Sequence, residues 1–320
     1  MIIPALGFIF LSILYVKRDV YQDFGKHKNY SWKYFFQSLG DISTKKLLHN
    51  PPNYNSFIFG SSRSTGLYAC YGQEKIQGAK FFHYANWNET IGGVNAKLKF
   101  LDARGYKLDN IFIYIDSDNS FKEDGRGSQH DHYLITGQNK YIWYYKHYWG
   151  YMSTMDWDKL KILFGFPVSG EIFPNWESDP VTNDHSHICT DSVLRHYGNT
   201  RTDQAHLELI DSLKRTGFLY ARPAAQSYLA KQISPYEVET LNSIKSILEK
   251  HQAKYYIIIT PLYDQMKFHP ADRKILEYVF GSNLHDFSGI NVFTNEPGNY
   301  PDRKHFLPYV SKAIIDTVLQ

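Results

Sequence analysis

The feature that most constrains the fold is an alternation of short apolar runs with segments of helical period. Phe57–Phe59, Ile111–Ile115 and Tyr255–Thr260 are almost wholly apolar or aromatic, as expected of strands whose two faces are both covered. Between them lie Val94–Leu101 and Val238–Leu248, where apolar residues recur at helical spacing. This order predicts an α/β protein with three layers, in which helices cover both faces of a mostly parallel sheet.

The same patterns predict four further elements. Lys80–Ala85 is a β-like run, and Ile290–Phe293 is predicted as a short last strand. Ala271–Phe280 is predicted to be a helix closed by a glycine. The stretch Phe306–Leu319 carries its apolar residues on one face and is predicted to be an amphipathic helix at the end of the domain.

The region from about 121 to 222 interrupts this alternation. It is rich in Trp, Tyr and His, and residues 156–164 and 202–213 have helical character. We interpret it as a partly helical, aromatic-rich cap inserted over the ends of the strands. Its aromatic segment Tyr141–Tyr145 suits either stacking on sugar rings or burial against the core, and the sequence leaves both interpretations open.

The N-terminal residues are apolar and free of charge up to Val16, and Lys17 and Arg18 follow directly. An uncleaved membrane anchor over residues 1–18 is the favoured interpretation, and a buried helix is the alternative. The position of the basic pair after the apolar run would favour a cytoplasmic body by the positive-inside rule. Residues 19–55 are predicted to be a linker with a short helix, and 56–320 the α/β domain.

Composition excludes several classes of partner. The formal net charge is +3, and the chain has no dense Lys/Arg run, phosphate-binding glycine loop or RNA-binding signature. Nucleic acid is therefore not an expected partner. The two cysteines, Cys70 and Cys189, form no C-x-x-C pair, which leaves a disulfide framework or a zinc ribbon unsupported. One bridge between them stays open.

Two histidine-rich stretches are weak candidates for a metal site. They are His130–His132 and Asp184–His187, and neither has the i, i+4 histidine spacing of a helical zinc site. Histidines on surface loops of the cap are the favoured interpretation. No metal and no organic cofactor is predicted.

A candidate nucleophile follows the first strand. Phe57–Phe59 leads to Gly60, and then Ser61 and Ser62 open a predicted helix. A sharp turn after a strand exposes a serine hydroxyl, and the free N–H groups at a helix start can stabilise an oxyanion. A purely capping serine is the alternative. Arg63 is expected either to pair with an acid on its own helix or to bind a substrate carboxylate or phosphate.

A matching base and acid precede the last helix. Asp302 and His305 form a D-x-x-H pair on one short loop. A serine needs a base to take its proton, and the base needs a carboxylate to orient it. Because active sites gather at the carboxyl ends of parallel strands, we expect this loop to lie beside Ser62.

A G-S-S turn after the first strand together with D-x-x-H before the last helix resembles the SGNH/GDSL hydrolase superfamily. The sequence is most similar to membrane-anchored bacterial members with G-S-S in place of G-D-S. These include relatives of the D-alanyl-transfer protein of teichoic acid synthesis and of exopolysaccharide O-acetyltransferases. The resemblance implies that Ser62 is the nucleophile, His305 the general base and Asp302 the orienting acid. It also implies a domain outside the cytoplasm.

The blocks that build the oxyanion hole in that superfamily match less well. After the second strand, Gly92 or Gly93 can offer a backbone N–H, and Asn86 or Asn88 a side-chain amide. After the third strand the chain reads D-S-D-N over residues 116–119, where the superfamily has G-x-N-D, so only Asn119 is a candidate donor. A departure at this block puts one donor of the oxyanion hole in question.

These observations lead to two functional hypotheses. The first is a serine esterase or O-acyltransferase that acts on acylated carbohydrate of the cell envelope or an exopolysaccharide, anchored to the membrane by its N-terminal helix. The resemblance adds a membrane-bound acyl-transport protein as a partner. The alternative is a non-catalytic, membrane-tethered protein of the same fold that binds or helps to assemble carbohydrate.

Overall fold

A computed structural model of the protein describes the chain with several gaps. The described residues are 2–25, 27, 30, 37–49, 54–117, 119–122, 132–166, 168, 179, 181–184, 204–222 and 224–320.

Five parallel strands form the sheet, in the order β2-β1-β3-β4-β5. The strands are β1 Ser56–Phe59, β2 Phe81–His83, β3 Asn110–Ile115, β4 Lys254–Ile259 and β5 Leu284–Asp286. Every pairing between neighbouring strands is parallel, so the carboxyl ends of all five meet at one edge. The predicted parallel sheet is confirmed.

The helices carry the labels α1 to α11 in chain order. They are α1 Ile2–Arg18, α2 Leu39–His49, α3 Ala69–Lys75, α4 Ile91–Ala103, α5 Tyr133–Thr136, α6 Lys140–Ser153, α7 Trp157–Phe164, α8 Gln204–Arg215, α9 Pro235–Lys250, α10 Pro270–Phe280 and α11 Pro308–Val318. Helices are present over the segments predicted at 94–101, 156–164, 202–213, 238–248, 271–280 and 306–319, and their described ends lie close to the predicted ones.

Alternate residues of each central strand enter two separate cores. From β1, Phe57 and Phe59 join the core under α4 and α9, whereas Ile58 joins the core under α3 and α11. The same alternation divides β3, where Ile113 faces the first core and Phe112 the second. Because successive side chains of a strand point to opposite faces, an all-apolar strand requires cover on both sides. The three-layer α/β/α arrangement is therefore confirmed.

The predicted last strand at Ile290–Phe293 is wrong. Asn291 folds this segment into a turn, since its side-chain oxygen accepts hydrogen bonds from the N–H groups of Phe293 and Thr294. Asparagine favours such turns because its short side chain competes for backbone donors. The edge strand β5 comes earlier, at Leu284–Asp286, and pairs with β4.

The segment before β1 is packed into the domain through α2. Nine consecutive residues of this helix, from Leu39 to Leu47, are buried. Thr44 Oγ1 lies 2.8 Å from Tyr84 Oη, and Tyr106 donates a 3.2 Å hydrogen bond to the Leu47 carbonyl. The short helix expected within 19–55 is thus present and belongs to the body of the domain.

The N-terminal helix α1 packs against α6 and α7 of the insertion. Ser12 Oγ lies 2.6 Å from Tyr148 Oη, and Arg18 donates to the carbonyls of Leu163 and Phe164 at 2.9 Å each. Among the helices that the structure describes, none combines the length and the apolar character needed to cross a bilayer. The anchor over residues 1–18 stays a prediction.

Candidate active site

The turn after β1 is tight because Gly60 has no side chain. A Cβ at this position would lie 2.7 Å from the Ser64 Cβ and 2.8 Å from the Tyr114 Cβ, closer than packed atoms approach. Ser61 then caps a single 3₁₀ helix, Ser62–Gly66, through a 3.2 Å hydrogen bond from the Arg63 N–H. The helix expected directly after this turn is present only as this short 3₁₀ segment, and the next α-helix begins at Ala69. A single 3₁₀ turn aligns few peptide dipoles, so the expected support from a helix dipole is small.

The structure brings Ser62, His305 and Asp302 into one chain of hydrogen bonds. Ser62 Oγ lies 3.0 Å from His305 Nε2, and His305 Nδ1 lies 2.8 Å from Asp302 Oδ2. Both distances are within the range expected of a serine, its general base and the carboxylate that orients the base. Ser62 and His305 lie 243 residues apart in the sequence. Their two segments meet at the carboxyl edge of the sheet, as predicted.

The surroundings of Asp302 favour its charged form. Partial burial alone would raise the pKa of this carboxyl group, but hydrogen bonds from the His305 side chain and the Lys304 N–H outweigh burial, so the net shift of the pKa is downward. Its Oδ1 accepts the N–H groups of Lys304 and His305 at 2.6 and 2.9 Å. A charged, fixed carboxylate holds the imidazole with Nδ1 protonated and Nε2 facing the serine.

Arg63 joins the serine turn to the loop of the other two residues. Its Nε donates to the Lys304 carbonyl at 2.8 Å, and its Nη1 lies 3.8 Å from Asp116 Oδ2. Arg63 is buried, with 7% of its surface exposed. The expectation of an acid on its own helix is wrong, because Asp116 follows β3. The sequence did not indicate Asp116, whose carboxylate also accepts the Ser61 hydroxyl.

One of the predicted oxyanion donors, the Gly93 N–H, is already engaged, and the side chain of another, Asn86, is fixed through its oxygen. The Gly93 N–H donates to Thr90 Oγ1 at 3.3 Å, because Thr90 is the N-cap of α4. Asn86 is fully buried, and its side-chain oxygen accepts the N–H groups of Gly40 and Trp87. The side chains of Thr90 and Asn86 therefore stabilise the local backbone. Gly93 has no free N–H to offer to an oxyanion.

Three groups that could donate to an oxyanion have no hydrogen-bond partner in the part of the chain that the structure describes. They are the backbone N–H groups of Ser62 and Gly92 and the side-chain amide of Asn119, whose Nδ2 is buried and makes no hydrogen bond. An unpartnered buried donor costs about 1–3 kcal/mol, so such a group usually has a role. Asp118, the neighbour of Asn119 in the third block, lies outside the described residues.

A second, fully buried Ser-His-Asp chain lies beneath the turn. Ser64 Oγ lies 3.0 Å from His83 Nε2, and His83 Nδ1 lies 3.2 Å from Asp184 Oδ1. Burial raises the pKa of Asp184, whose carboxylate also accepts the Ala69 N–H at the start of α3. Ser64 has no exposed surface, so a substrate cannot reach it. This network ties the serine turn to β2, and no local sequence pattern indicated it.

The candidate metal stretches are only partly described. His130, Asp131 and the histidines after Asp184 lie outside the described residues. Within the described part, no group of three His, Cys, Asp or Glu residues is arranged to hold a metal ion. His132 instead caps α5 through a 3.3 Å hydrogen bond from the Leu134 N–H to its Nδ1. Cys70 is disulfide-bonded, and the other cysteine of the chain, Cys189, lies outside the described residues.

Burial of His132 makes a prediction about stability. Desolvation, helped by the charge of Lys45, lowers the pKa of His132 to about 3, against about 6.5 in an unfolded chain. Between these values the unfolded state binds a proton that the native state does not, so the free energy of unfolding falls as the pH falls, by up to about 1.4 kcal/mol per pH unit. We expect His132→Asn, which can still cap α5, to make this slope shallower in denaturant titrations at a series of pH values. An unchanged slope would contradict the assignment.

A groove of about 510 Å³ lies between the end of the insertion and the segment before the loop of Asp302 and His305, and its lining includes none of Ser62, Asp302 and His305. It is lined by Tyr220 and Tyr263 and by the basic side chains of Lys214 and Arg222. Arg303, within the same loop, stacks on Tyr220 with its guanidinium carbon 5.8 Å from the ring centre. Phe218 and Tyr220 of the insertion therefore contact the loop that carries Asp302 and His305, through Arg303.

Comparison with known proteins adds no family. A scan against protein-family models finds no match for this chain. A search of curated proteins likewise finds no matching protein.

Proposed function

We propose that the protein is a serine esterase or O-acyltransferase, with Ser62 as its nucleophile. The observation that carries this proposal is the continuous hydrogen-bond chain from Ser62 through His305 to Asp302. The half-exposed position of His305 and Asp302 fits a site that a substrate can enter. The motif resemblance to the SGNH hydrolases supports the same reaction type.

The chemistry follows from this geometry. His305 Nε2 takes the Ser62 proton as Oγ bonds to the ester carbonyl carbon, and the carbonyl oxygen becomes an oxyanion. The C–O bond to the leaving alcohol then breaks, and the imidazolium returns the proton to that alcohol. Water, or the hydroxyl of an acceptor, attacks the acyl-serine with His305 again as base, which releases the acid or the transferred ester and restores Ser62.

The substrate class is inferred from the groove and from the motif resemblance. The tyrosines of the groove offer flat faces of the kind that stack on sugar rings. Together with the motif resemblance, this favours acylated carbohydrate of the cell envelope or an exopolysaccharide. Whether water or a sugar receives the acyl group depends on how well the site excludes water. A location outside the cytoplasm and a membrane-bound acyl-transport partner rest on the resemblance alone.

A non-catalytic carbohydrate-binding protein is the second candidate. It is favoured by the engaged Gly93 N–H and by the third block, which lacks the glycine found in SGNH hydrolases. A fluorophosphonate probe separates the two candidates, because it reacts only with an activated serine. We expect the folded wild type to be labelled, Ser62→Ala to be unlabelled, and His251→Ala to be labelled like the wild type. His251 is a matched control since its Nε2 pairs with Asp102 at 2.7 Å without contacting a serine. Absence of labelling in folded wild-type protein would favour the binding role.

Asn119 supplies a further prediction for the catalytic role. If its unpartnered amide donates to the oxyanion, Asn119→Ala should lower kcat for a short-chain ester by about 10²–10³-fold with little change in KM, because the contact forms only in the transition state. Asn86→Ala serves for comparison, since the oxygen of Asn86 is bonded to the backbone and its loss should act mainly on stability. A kcat within a few-fold of wild type for Asn119→Ala would remove Asn119 from the oxyanion hole.

A further inference from the structure

The outward face of α1 is a strip of exposed apolar side chains. Leu6, Ile9, Ile13 and Val16 recur at helical spacing, and between 53% and 59% of each is exposed. Phe10, at 51%, lies on the same face. Soluble surfaces scatter such residues singly, so a continuous strip marks a contact surface.

The strip continues onto α6 on one side and α7 on the other. Phe8 lies 6.1 Å from Trp149 between ring centres, and Trp149 lies 6.0 Å from Tyr145. On the other side, Phe10 lies 6.2 Å from Phe164. All five rings are themselves exposed by 41% or more. The apolar strip of α1 and these exposed rings of α6 and α7 therefore form one surface, here called the aromatic face. Trp157, at the start of α7, is also exposed.

The charges around the aromatic face are mainly positive. The three helices contain six Lys and Arg residues and one acidic residue, Asp158. Lys17, Lys140 and Lys146 are exposed. This balance complements an anionic surface, and a basic residue near such a surface contributes about 1 kcal/mol to binding.

The aromatic face is joined firmly to the rest of the domain. Tyr21 stacks on His147 of α6 at 4.3 Å, and His147 Nδ1 lies 2.9 Å from Asp23 Oδ2. Lys45 of α2 completes the connection with ion pairs of 2.5 Å to Asp23 and 2.6 Å to Asp41. These charges are buried, so they fix α6 against α2 in one arrangement. Binding through the aromatic face would therefore also set the orientation of the α/β domain relative to the bound surface.

We propose that the aromatic face binds the surface of an anionic phospholipid bilayer, with α1, α6 and α7 lying along the interface. Trp and Tyr prefer this position because their rings are apolar and their N–H and O–H groups are polar. Aliphatic side chains on one face with lysines at its border are typical of helices that lie in an interface. Within the segment Tyr141–Tyr145, the exposed Tyr141, Ile142 and Tyr145 are thereby assigned to lipid contact, whereas Trp143 is buried and Tyr144 donates to the Asp23 carbonyl. The proposal does not depend on the catalytic role of Ser62.

Quenching of tryptophan fluorescence by brominated phosphatidylcholine tests this proposal on the full chain. Vesicles that contain brominated phosphatidylcholine and phosphatidylglycerol should quench the tryptophan fluorescence of the wild type. The double variant Trp149→Phe/Trp157→Phe should lose most of that quenching. Trp87→Phe, altered in the α/β body, should retain it. Lys140→Glu/Lys146→Glu should weaken binding to the same vesicles by about tenfold or more, and vesicles of phosphatidylcholine alone should bind the wild type less.

Two results would overturn the proposal. If the chain binds vesicles but Trp149→Phe/Trp157→Phe leaves quenching unchanged, then α1 alone contacts lipid and α6 and α7 face elsewhere. If folded full-length protein does not bind anionic vesicles at all, the aromatic face serves a protein contact, and sedimentation of the same sample would show whether a second copy covers it. Neither result depends on a measurement of ester hydrolysis. Failure of the membrane-binding proposal can therefore be distinguished from failure of the catalytic proposal.

Discussion

Replacement of His305 by alanine is expected to lower kcat for hydrolysis of a short-chain ester by about 10⁴–10⁶-fold. Ser62 Oγ would lose the only base that the structure places within hydrogen-bond reach of it among the described residues, 3.0 Å away. Without a base the hydroxyl stays protonated and is a poor nucleophile at neutral pH. Steady-state kinetics on purified, folded variants measure the effect.

The control for this experiment is His251→Ala. His251 also pairs with an aspartate, Asp102, but contacts no serine, so its loss should leave kcat within a few-fold of wild type. A His305→Ala variant that retains a tenth or more of wild-type kcat would show that His305 is not the base.

Replacement of Asp302 by asparagine is expected to lower kcat by about 10⁴-fold with a smaller change in KM. The amide would remove the charge that holds Nδ1–H of His305 and that stabilises the imidazolium formed in the reaction. Because the folded-state pKa of Asp302 is below its ordinary value, the carboxylate is ionised at neutral pH, and the stability it contributes is lost progressively as the pH falls from the ordinary pKa through the lowered one. Activity at neutral pH should therefore not depend on the titration of Asp302.

Asp102→Asn is the matched control for that variant. Asp102 accepts hydrogen bonds from Lys250 and His251 much as Asp302 accepts them from His305 and the backbone. Each change replaces one carboxylate oxygen by an NH₂ group and removes the negative charge from a partly exposed ion pair. Equal kinetic losses in the two variants would indicate a general effect on folding and would argue against a specific role for Asp302.

The sequence predicted the central strands because their surroundings are uniform. A strand covered on both faces must be apolar at every position, and Ile111–Ile115 has this composition. The edge strand β5 has only one neighbour, and its residues Leu284–Asp286 are half-buried, two of them polar. It therefore lacks the apolar run by which strands were recognised, and the more apolar Ile290–Phe293 was predicted in its place.

The three residues of the candidate triad were also accessible from sequence, since each of its two segments is a short local pattern. The residues that hold these segments together were not. Arg63 donates to the Lys304 carbonyl and approaches Asp116, so its role depends on contacts between distant parts of the chain. His83 and Asp184 lie 101 residues apart and join beneath the turn. Such contacts depend on tertiary packing, which a single sequence does not display.

The positions of the insertion helices could not be predicted from the sequence either, because they too depend on tertiary packing. Part of the insertion lies beside the active-site loop, where Arg303 stacks on Phe218 with its guanidinium carbon 4.9 Å from the ring centre. Its helices α6 and α7 instead pack on α1, through contacts such as Ser12 to Tyr148. Aromatic content alone did not distinguish these two environments. An enzyme acting on envelope carbohydrate would gain from a lipid-facing surface, because both substrate and enzyme would then lie at the same boundary.

Locating the covalent adduct after fluorophosphonate treatment tests the central claim most directly. Digestion and tandem mass spectrometry of the labelled, folded wild type should place the probe on Ser62 and leave the neighbouring Ser61 and Ser64 unmodified. An adduct on another serine, or a folded protein that carries none, would contradict the assignment of Ser62 as an activated nucleophile.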